Sequence, residues 1–332
     1  MINFIRLKEI LLDNNSFLIT THVNPDADAI GSEIALYFIL KNLGKTVYIV
    51  NYSSTPYNLQ FLDIDNKIEK YDEKKHHELF DKADVLVAVD FNRSDRIVKM
   101  QQKFLQSDKM KICIDHHQDS ENFADHFFVD ISYTASGQII YDLIKKTAIV
   151  KLTNETALPI YAAIMTDTGS FRFERTTPEI HRIAAELLEY GVDPTGVFDK
   201  IYDQSKFGKI KLLGKALDSL QLYGKNKEIA YMILTRDMFN SAEAEEHDTD
   251  GFVNFSLSVE DVKIGLLFIE LNEGFKVSFR SKGSIPVNRL AQEFGGGGHI
   301  NAAGLRIFDR ELNEYLKLIL LKAEDYLNKN KG

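Results

Sequence analysis

Lys111-Ile112-Cys113-Ile114-Asp115-His116-His117 is a short apolar run that ends in one carboxylate and two imidazoles. Three further segments share that character. Residues 17–20 run into Thr21-His22-Val23-Asn24-Pro25-Asp26-Ala27-Asp28-Ala29-Ile30-Gly31-Ser32, and Val85-Leu86-Val87-Ala88-Val89 ends at Asp90. Downstream lies Met165-Thr166-Asp167-Thr168-Gly169-Ser170. Each cluster follows an apolar segment of strand length. Continuous apolar runs that alternate with helical patterns indicate a parallel sheet covered on both faces. Functional side chains of such sheets collect at the carboxyl ends of the strands.

Outward from these clusters, residues 46–50 read as another strand, and residues 31–42, 136–146, 155–166 and 178–190 as helices. Residues 1–12 read as an amphipathic helix. After Gly191-Val192-Asp193-Pro194 the chain is helical and charged to about Leu222, the pattern of a linker. Apolar or alternating runs at 230–234, 263–269 and 275–280 then begin a second domain, with helices over 284–294 and 310–327. The expected class is α/β: an N-terminal doubly wound, mainly parallel sheet domain and a smaller C-terminal mixed-sheet α/β domain, with the active site in the cleft between them. The expected division is 1–190 for the first domain, 191–224 for the linker and 225–332 for the second.

The 332 residues suffice for two cores. Hydrophobic content of 44% and charged content of 27% are those of a globular protein. A net charge of −9 argues against a general grip on long nucleic acid, so a nucleic-acid partner should be short or held by a local patch. Cys113 is the single cysteine, which excludes an intrachain disulfide, and its apolar setting suits a small core residue. No signal peptide and no membrane span is expected, and the cytoplasm is the expected location.

Carboxylates and imidazoles at successive strand ends are how a site for two divalent ions is built, and two such ions cut phosphate esters. Asp26 and Asp28, two apart in an extended loop, could point at neighbouring ions, or cap the next helix. Asp90 closes an apolar run, where a carboxylate is costly unless paired or ligating, although it could also cap a helix. Asp167 could be an ordinary turn aspartate. Asp115-His116-His117 has little structural purpose. The other histidines (His76, His77, His126, His181, His247) lack such settings. Mixed oxygen and nitrogen donors suit Mn²⁺ better than Mg²⁺ or a structural Zn²⁺ site.

Gly295-Gly296-Gly297-Gly298-His299 is the second signal, because consecutive glycines let backbone N–H groups converge on an anion. Residues 275–306 carry Lys276, Arg280, Lys282, Arg289 and Arg306 against the single acid Glu293, a basic patch in an acidic chain. The plain alternative is a flexible hairpin with solvated charges.

In order and spacing, His22-x-x-x-Asp26-x-Asp28, Asp90, Asp115-His116-His117 and Asp167 resemble the DHH phosphoesterases, and Arg280-Ser281-Lys282-Gly283 with the glycine–His segment resembles their C-terminal substrate domain. The two-domain length is similar to the nanoRNases of that family that also dephosphorylate 3′-phosphoadenosine 5′-phosphate (pAp), with cyclic-di-AMP or pApA phosphodiesterases as the near alternative and a non-catalytic nucleotide sensor as the remote one. The resemblance implies hydrolysis of short oligoribonucleotides to mononucleotides, and of pAp to AMP, by a hydroxide held between two ions. It implies Mn²⁺, with Mg²⁺ or Co²⁺ as substitutes. One ion would be held by His22, Asp26 and Asp90, the other by Asp28, Asp90, His116 and Asp167. His117 would face the scissile phosphate with Asp115 behind it. Arg280, Ser281, Gly296, Gly297, Gly298 and His299 would bind substrate. Expected partners are short RNA or small nucleotides, with no long duplex and no membrane, and a homodimer is a candidate assembly. Gln118-Asp119, where relatives often carry proline, is a departure from the pattern.

Overall fold

The computed structural model describes residues 1–330; Lys331 and Gly332, which end the expected substrate domain, lie outside the described residues. The chain forms two compact units, Met1–Gln204 and a second that begins at Ser205. The boundary falls inside the stretch read as a linker and divides it. Helix Pro194–Tyr202 packs into the first unit through Val197 and Ile201, and helix Phe207–Asp218 into the second through Leu212 and Ala216. Their apolar faces are wide enough to be claimed by a core, which a linker's would not be.

The first unit holds β1 (Ser16–Thr20), β2 (Thr46–Asn51), β3 (Ile68–Lys70), β4 (Val85–Val89), β5 (Met110–Asp115) and β6 (His126–Val129), all parallel, in the order β3-β2-β1-β4-β5-β6. Alternate side chains leave opposite faces. Phe17, Ile19, Val87, Ile112 and Ile114 meet the helices Phe4–Asp13, Ala27–Asn42, Ser136–Thr147 and Asn154–Asp167 on one face, while Leu18, Leu86, Ala88 and Cys113 meet Phe80, Phe104 and Phe123 on the other. All five residues of β4 are buried, which explains its unbroken apolar sequence. The short edge strands β3 and β6 were not anticipated. The strand order reverses direction between β1 and β4, so the switch point of the sheet opens beyond Thr20 and Val89.

The second unit holds β7 (Gln221–Tyr223), β8 (Ile229–Leu234), β9 (Ile264–Glu270), β10 (Phe275–Ser281), β11 (Gly297–His299) and β12 (Ala302–Ile307), ordered β11-β12-β10-β9-β8-β7. Only β8 and β9 pair in parallel, so the sheet is mixed. In β10, Phe275, Val277 and Phe279 are buried and Lys276, Ser278 and Arg280 half-buried, the alternation read in its sequence. The helix expected over 284–294 shortens to Val287–Gln292, because Pro286 takes the cap position with a non-helical backbone. No helix among the described residues is long and apolar enough to cross a membrane.

Candidate metal centre

The switch point gathers the acidic and His clusters. Thr21 continues from β1 and is fixed there: its Oγ1 donates to Val89 O at 2.7 Å, and its N–H donates to Asn51 Oδ1 at 3.1 Å. His22 follows, and Asp90 follows β4 with its N–H on Ile114 O at 3.0 Å. Asp90 sits in the left-handed region at φ 63°. Aspartate tolerates that better than most residues, and strained backbone that persists is characteristic of functional sites.

Asp26 and Asp28 do not share an extended loop as expected. The helix begins at Ala27, so Asp28 lies in its first turn, and Asp26 is the N-cap, accepting from the N–H groups of Asp28 and Ala29 at 3.1 Å each. Capping and ligation are therefore compatible for Asp26: one carboxylate oxygen caps, and the other is left to bind. Asp90 caps nothing, since the next helical turn starts from Arg93. Asp167 is neither at a strand end nor in a turn; it is the last residue of helix Asn154–Asp167.

Two groups of three side chains each present ligand atoms within 4.8 Å of one another: His22, Asp26 and Asp90, and Asp28, His116 and Asp167. His116 Nε2 lies 3.5 Å from Asp28 Oδ2, 3.5 Å from Asp90 Oδ1 and 3.3 Å from Asp167 Oδ2, so Asp90 reaches toward both groups. His22 Nε2 is 3.6 Å from Asp90 Oδ2. The tautomers follow from the other ring nitrogens. His22 Nδ1 faces Val23 O at 3.0 Å and His116 Nδ1 faces Tyr133 O at 3.4 Å. A carbonyl oxygen only accepts, so both Nδ1 atoms carry hydrogen and both Nε2 atoms face the carboxylates, the positions from which they would bind an ion once deprotonated.

Electrostatics fit a dication. Among the described residues, every ion-pair contact to Asp28, Asp90 and Asp167 comes from a histidine, none from lysine or arginine. Burial, then the charges of Asp90 and Asp167, hold the Asp28 carboxyl well above its ordinary range. Burial, then Asp26, pushes Asp167 up to about 7. Burial would lower the imidazoles, but the Asp90 hydrogen bond and the surrounding carboxylates outweigh it, raising His22 to about 9 and His116 to about 10. Protons on these groups stand in for positive charge that divalent ions would supply. A third grouping, Asp90 with His116 and His117, also meets the 4.8 Å limit. In it, however, His117 Nδ1 is held by Asp115 Oδ1 at 2.7 Å. Asp115 is fully buried, and its Oδ2 has no hydrogen-bond partner among the described residues.

Several supporting residues escaped the sequence reading. The N-terminus of helix Ser136–Thr147 aims at Asp28: Ser136 N–H donates to Oδ2 at 2.7 Å and Gly137 N–H to Oδ1 at 2.9 Å, with Ser32 Oγ donating to Oδ1 at 3.1 Å. Ser136 Oγ donates to Asp90 Oδ1 at 2.9 Å. Glu33 is fully buried, its Oε2 accepting from Asn51 Nδ2 at 2.7 Å and its Oε1 without a partner among the described residues, so Glu33 braces the residue that holds Thr21 beside His22. The one available signal was Ser136-Gly137 opening an apolar helix, a recognised start pattern.

The candidate substrate residues lie in the second unit. Arg280 is half-buried on β10, donates to Phe279 O at 3.0 Å and forms no ion pair among the described residues. Burial lowers its pKa against the pull of Asp250. Ser281 is committed elsewhere: its Oγ donates to Ile285 O at 2.7 Å and accepts from Asn301 Nδ2 at 3.0 Å. The glycine run is partly taken up by the second sheet. Gly297–His299 pair with β12, and Gly296 N–H donates to Ala291 O at 2.9 Å. Their identity follows from close approach: a Cβ on Gly296 would lie 2.3 Å from Gly304 O, and one on Gly298 2.4 Å from Ala302 O. His299 is exposed at the end of β11. The basic patch is smaller than its sequence suggests, because Glu246 pairs with both Lys276 and Arg306.

A parallel sheet with carboxylates and imidazoles crowded at its switch point defines a metal-dependent hydrolytic centre. Residues 16–164 match the DHH family N-terminal domain and residues 226–328 the DHHA1 domain. The bifunctional oligoribonuclease and PAP phosphatase NrnA of Thermus thermophilus is 35% identical over 311 residues, 94% of this chain and 90% of that protein. The chain belongs to the DHH family. The crystal structure of an exopolyphosphatase-related protein from Bacteroides fragilis superposes with a TM-score of 0.93 at 31% identity, covering 99% of this chain and 97% of that one. RecJ from Thermus thermophilus, solved in complex with Mn²⁺, shares the fold at a TM-score of 0.58 and 11% identity, over 99% of this chain and 55% of its own.

Proposed function

We propose that the protein hydrolyses short oligoribonucleotides to mononucleotides and pAp to AMP. The observation that carries this reading is the pair of carboxylate–imidazole triads, His22–Asp26–Asp90 and Asp28–His116–Asp167, meeting at Asp90. The substrate class comes from kinship with the Thermus thermophilus oligoribonuclease and PAP phosphatase, which spans nearly the full chain. Bound to the triads, two divalent ions supply water activation and charge neutralisation at the phosphoryl oxygens. Mn²⁺ is the proposed ion, since the donors mix imidazole with carboxylate and RecJ, of the same fold, was solved with it; Mg²⁺ and Co²⁺ are the comparisons.

The remaining chemistry belongs to side chains. Asp115 accepts from His117 Nδ1, which raises the ring's pKa against the effect of burial; Nε2 is the proposed substrate-facing atom. A protonated ring there donates to a phosphoryl oxygen and stabilises the charge that develops on it. Arg280, a guanidinium that forms no ion pair among the described residues, binds a substrate phosphate, with His299 as a second contact. Ser281, whose Oγ is hydrogen-bonded to Ile285 O and Asn301 Nδ2, shapes the turn beside Arg280.

The test is a panel of labelled RNA from dinucleotides to two dozen nucleotides, together with pAp, pApA and cyclic di-AMP, each with Mn²⁺. Rates that fall steeply with RNA length, together with release of phosphate from pAp, are expected. Exclusive cleavage of cyclic di-AMP or pApA would replace this reading with a signalling phosphodiesterase. Nucleotide binding with no hydrolysis of any member would make the chain a sensor.

A further inference from the structure

Beside the metal centre, within the first unit, a groove of about 310 Å³ is lined by Tyr161, Met165, Phe171 and Phe198, with Ser170 and Asp199 among its polar rim. That volume is at the lower end of the range for small-molecule sites. The groove begins three residues after Asp167. Ser170 and Phe171 are both held in the left-handed region, at φ 60° and 66°. A phenylalanine there is an outlier that persists only when its surroundings dictate it. Here they do: Ser170 N–H donates to Met165 O at 2.8 Å and Phe171 N–H to Thr168 Oγ1 at 3.0 Å. The strained turn sets the Phe171 ring 5.9 Å from Tyr161 and 5.6 Å from His181. Tyr202 packs its ring 4.8 Å from that of Phe198. The bond from Ser170 N–H to Met165 O closes a turn that contains Asp167, so two residues lining the groove, Met165 and Ser170, flank that proposed ligand. The aromatic groove and the metal centre are therefore neighbours.

We propose that this groove is a nucleobase subsite, which stacks one base of the substrate next to the phosphate being cut. The inference rests on the reading of the chain as a short-RNA phosphoesterase. Aromatic walls are how single-stranded bases are held without regard to sequence. Asp199 at the rim, which makes no side-chain hydrogen bond or ion pair among the described residues, repels phosphate and accepts from base N–H groups, so the occupant is the base and not the backbone. None of these residues is a proposed metal ligand.

Phe198→Ala tests the subsite, because Phe198 is 39% exposed and its loss leaves the core intact. Two readouts are needed. The first is quenching of a 2-aminopurine mononucleotide, which reports stacking without hydrolysis. Wild type is expected to quench it, Phe198→Ala to lose the quench, and Phe198→Trp to restore it. The second is KM for a dinucleotide and for its abasic counterpart. Phe198→Ala should raise the first by about 10- to 100-fold, the worth of one base–aromatic stack, and leave the second unchanged. Equal losses on both substrates would make Phe198 merely structural and overturn the proposal, as would a wild type that never quenches. If wild type quenches but cleaves no phosphodiester, the subsite stands and the proposed reaction fails.

Discussion

His116 and His117 are adjacent in sequence and differ in what holds them. His116 gives its Nδ1 hydrogen to a backbone carbonyl and turns Nε2 toward three carboxylates, while His117 gives Nδ1 to Asp115. His116→Ala should therefore lose bound metal, measured by equilibrium dialysis, together with activity. His117→Ala should keep metal and lose about 10²–10³ in turnover, the cost of one transition-state contact. Equal metal loss in both variants would show that the rings have been assigned to the wrong roles. A second expectation concerns protons. With His22 raised to about 9 and His116 to about 10, both imidazoles are charged in the metal-free chain at neutral pH. Their pairing contributes stability that is fully present below about pH 6.5 and is lost as pH rises through 9–10. Loading Mn²⁺ must expel these protons and those held by the Asp28 and Asp167 carboxyls, so a weakly buffered solution near pH 7.5 should acidify by at least about two protons per molecule, and affinity should strengthen as pH rises. Metal binding without proton release would contradict the ligand set. At this scale the sequence showed the acids and imidazoles because such residues are conspicuous after apolar runs. Glu33 and Asn51 were invisible and Ser136 marked no more than a helix start, because each is an ordinary residue of an ordinary element whose role exists only after its neighbour arrives from far along the chain.

Helices Ala27–Asn42 and Asn154–Asp167 set the distance between the ligands they carry, Asp28 and Asp167. They meet closely: a Cβ on Gly31 would lie 2.4 Å from Pro159 O and 3.3 Å from Ala163 Cβ. Gly31→Ala should thus force the helices apart. The expected cost is about 1–3 kcal/mol of stability, typical of overpacking, seen in thermal unfolding. Metal affinity at the Asp28–His116–Asp167 triad should fall in parallel. A variant that is destabilised yet binds metal as wild type would show that the helix contact does not gauge the site. Strands β1, β2, β4 and β5 were legible because strands buried on both faces read as unbroken apolar runs. The three-residue β3 and the four-residue β6 carry too few residues to show a period, and their pairing is set by neighbours. Asp28 was placed in a loop because aspartate seldom sits inside a helix. Here it lies in the first turn, where the helix dipole favours it.

Across the whole molecule, cores are separate: helices cover both faces of the first sheet, and a different set covers the second. The division of labour proposed here has Arg280 binding and the first unit reacting. Arg280→Ala should raise KM for a dinucleotide or pAp by about 10–100-fold, from about 1.5–3 kcal/mol for a charged hydrogen bond, with metal content unchanged. Bis-p-nitrophenyl phosphate should be affected far less. Parallel loss on both substrates would place Arg280 at the chemical step, and no change on either would make it a solvated surface group. The charge count of the patch misled the sequence reading for a physical reason: Glu246, which neutralises Lys276 and Arg306, lies outside the window in which the charges were counted.

Every proposed metal ligand, from His22 to Asp167, precedes the boundary at Gln204. Translation therefore delivers the reactive centre before it delivers Arg280 or His299, and amino-terminal units generally fold first as the chain emerges. A ribosome stalled near that boundary should carry a half-made protein that already captures Mn²⁺ but cannot yet choose its RNA. Metal uptake by such a nascent chain, measured against one stalled before Asp167, would reveal it, and equal uptake by the two would refute it. The biosynthetic order would then put reactivity ahead of restraint.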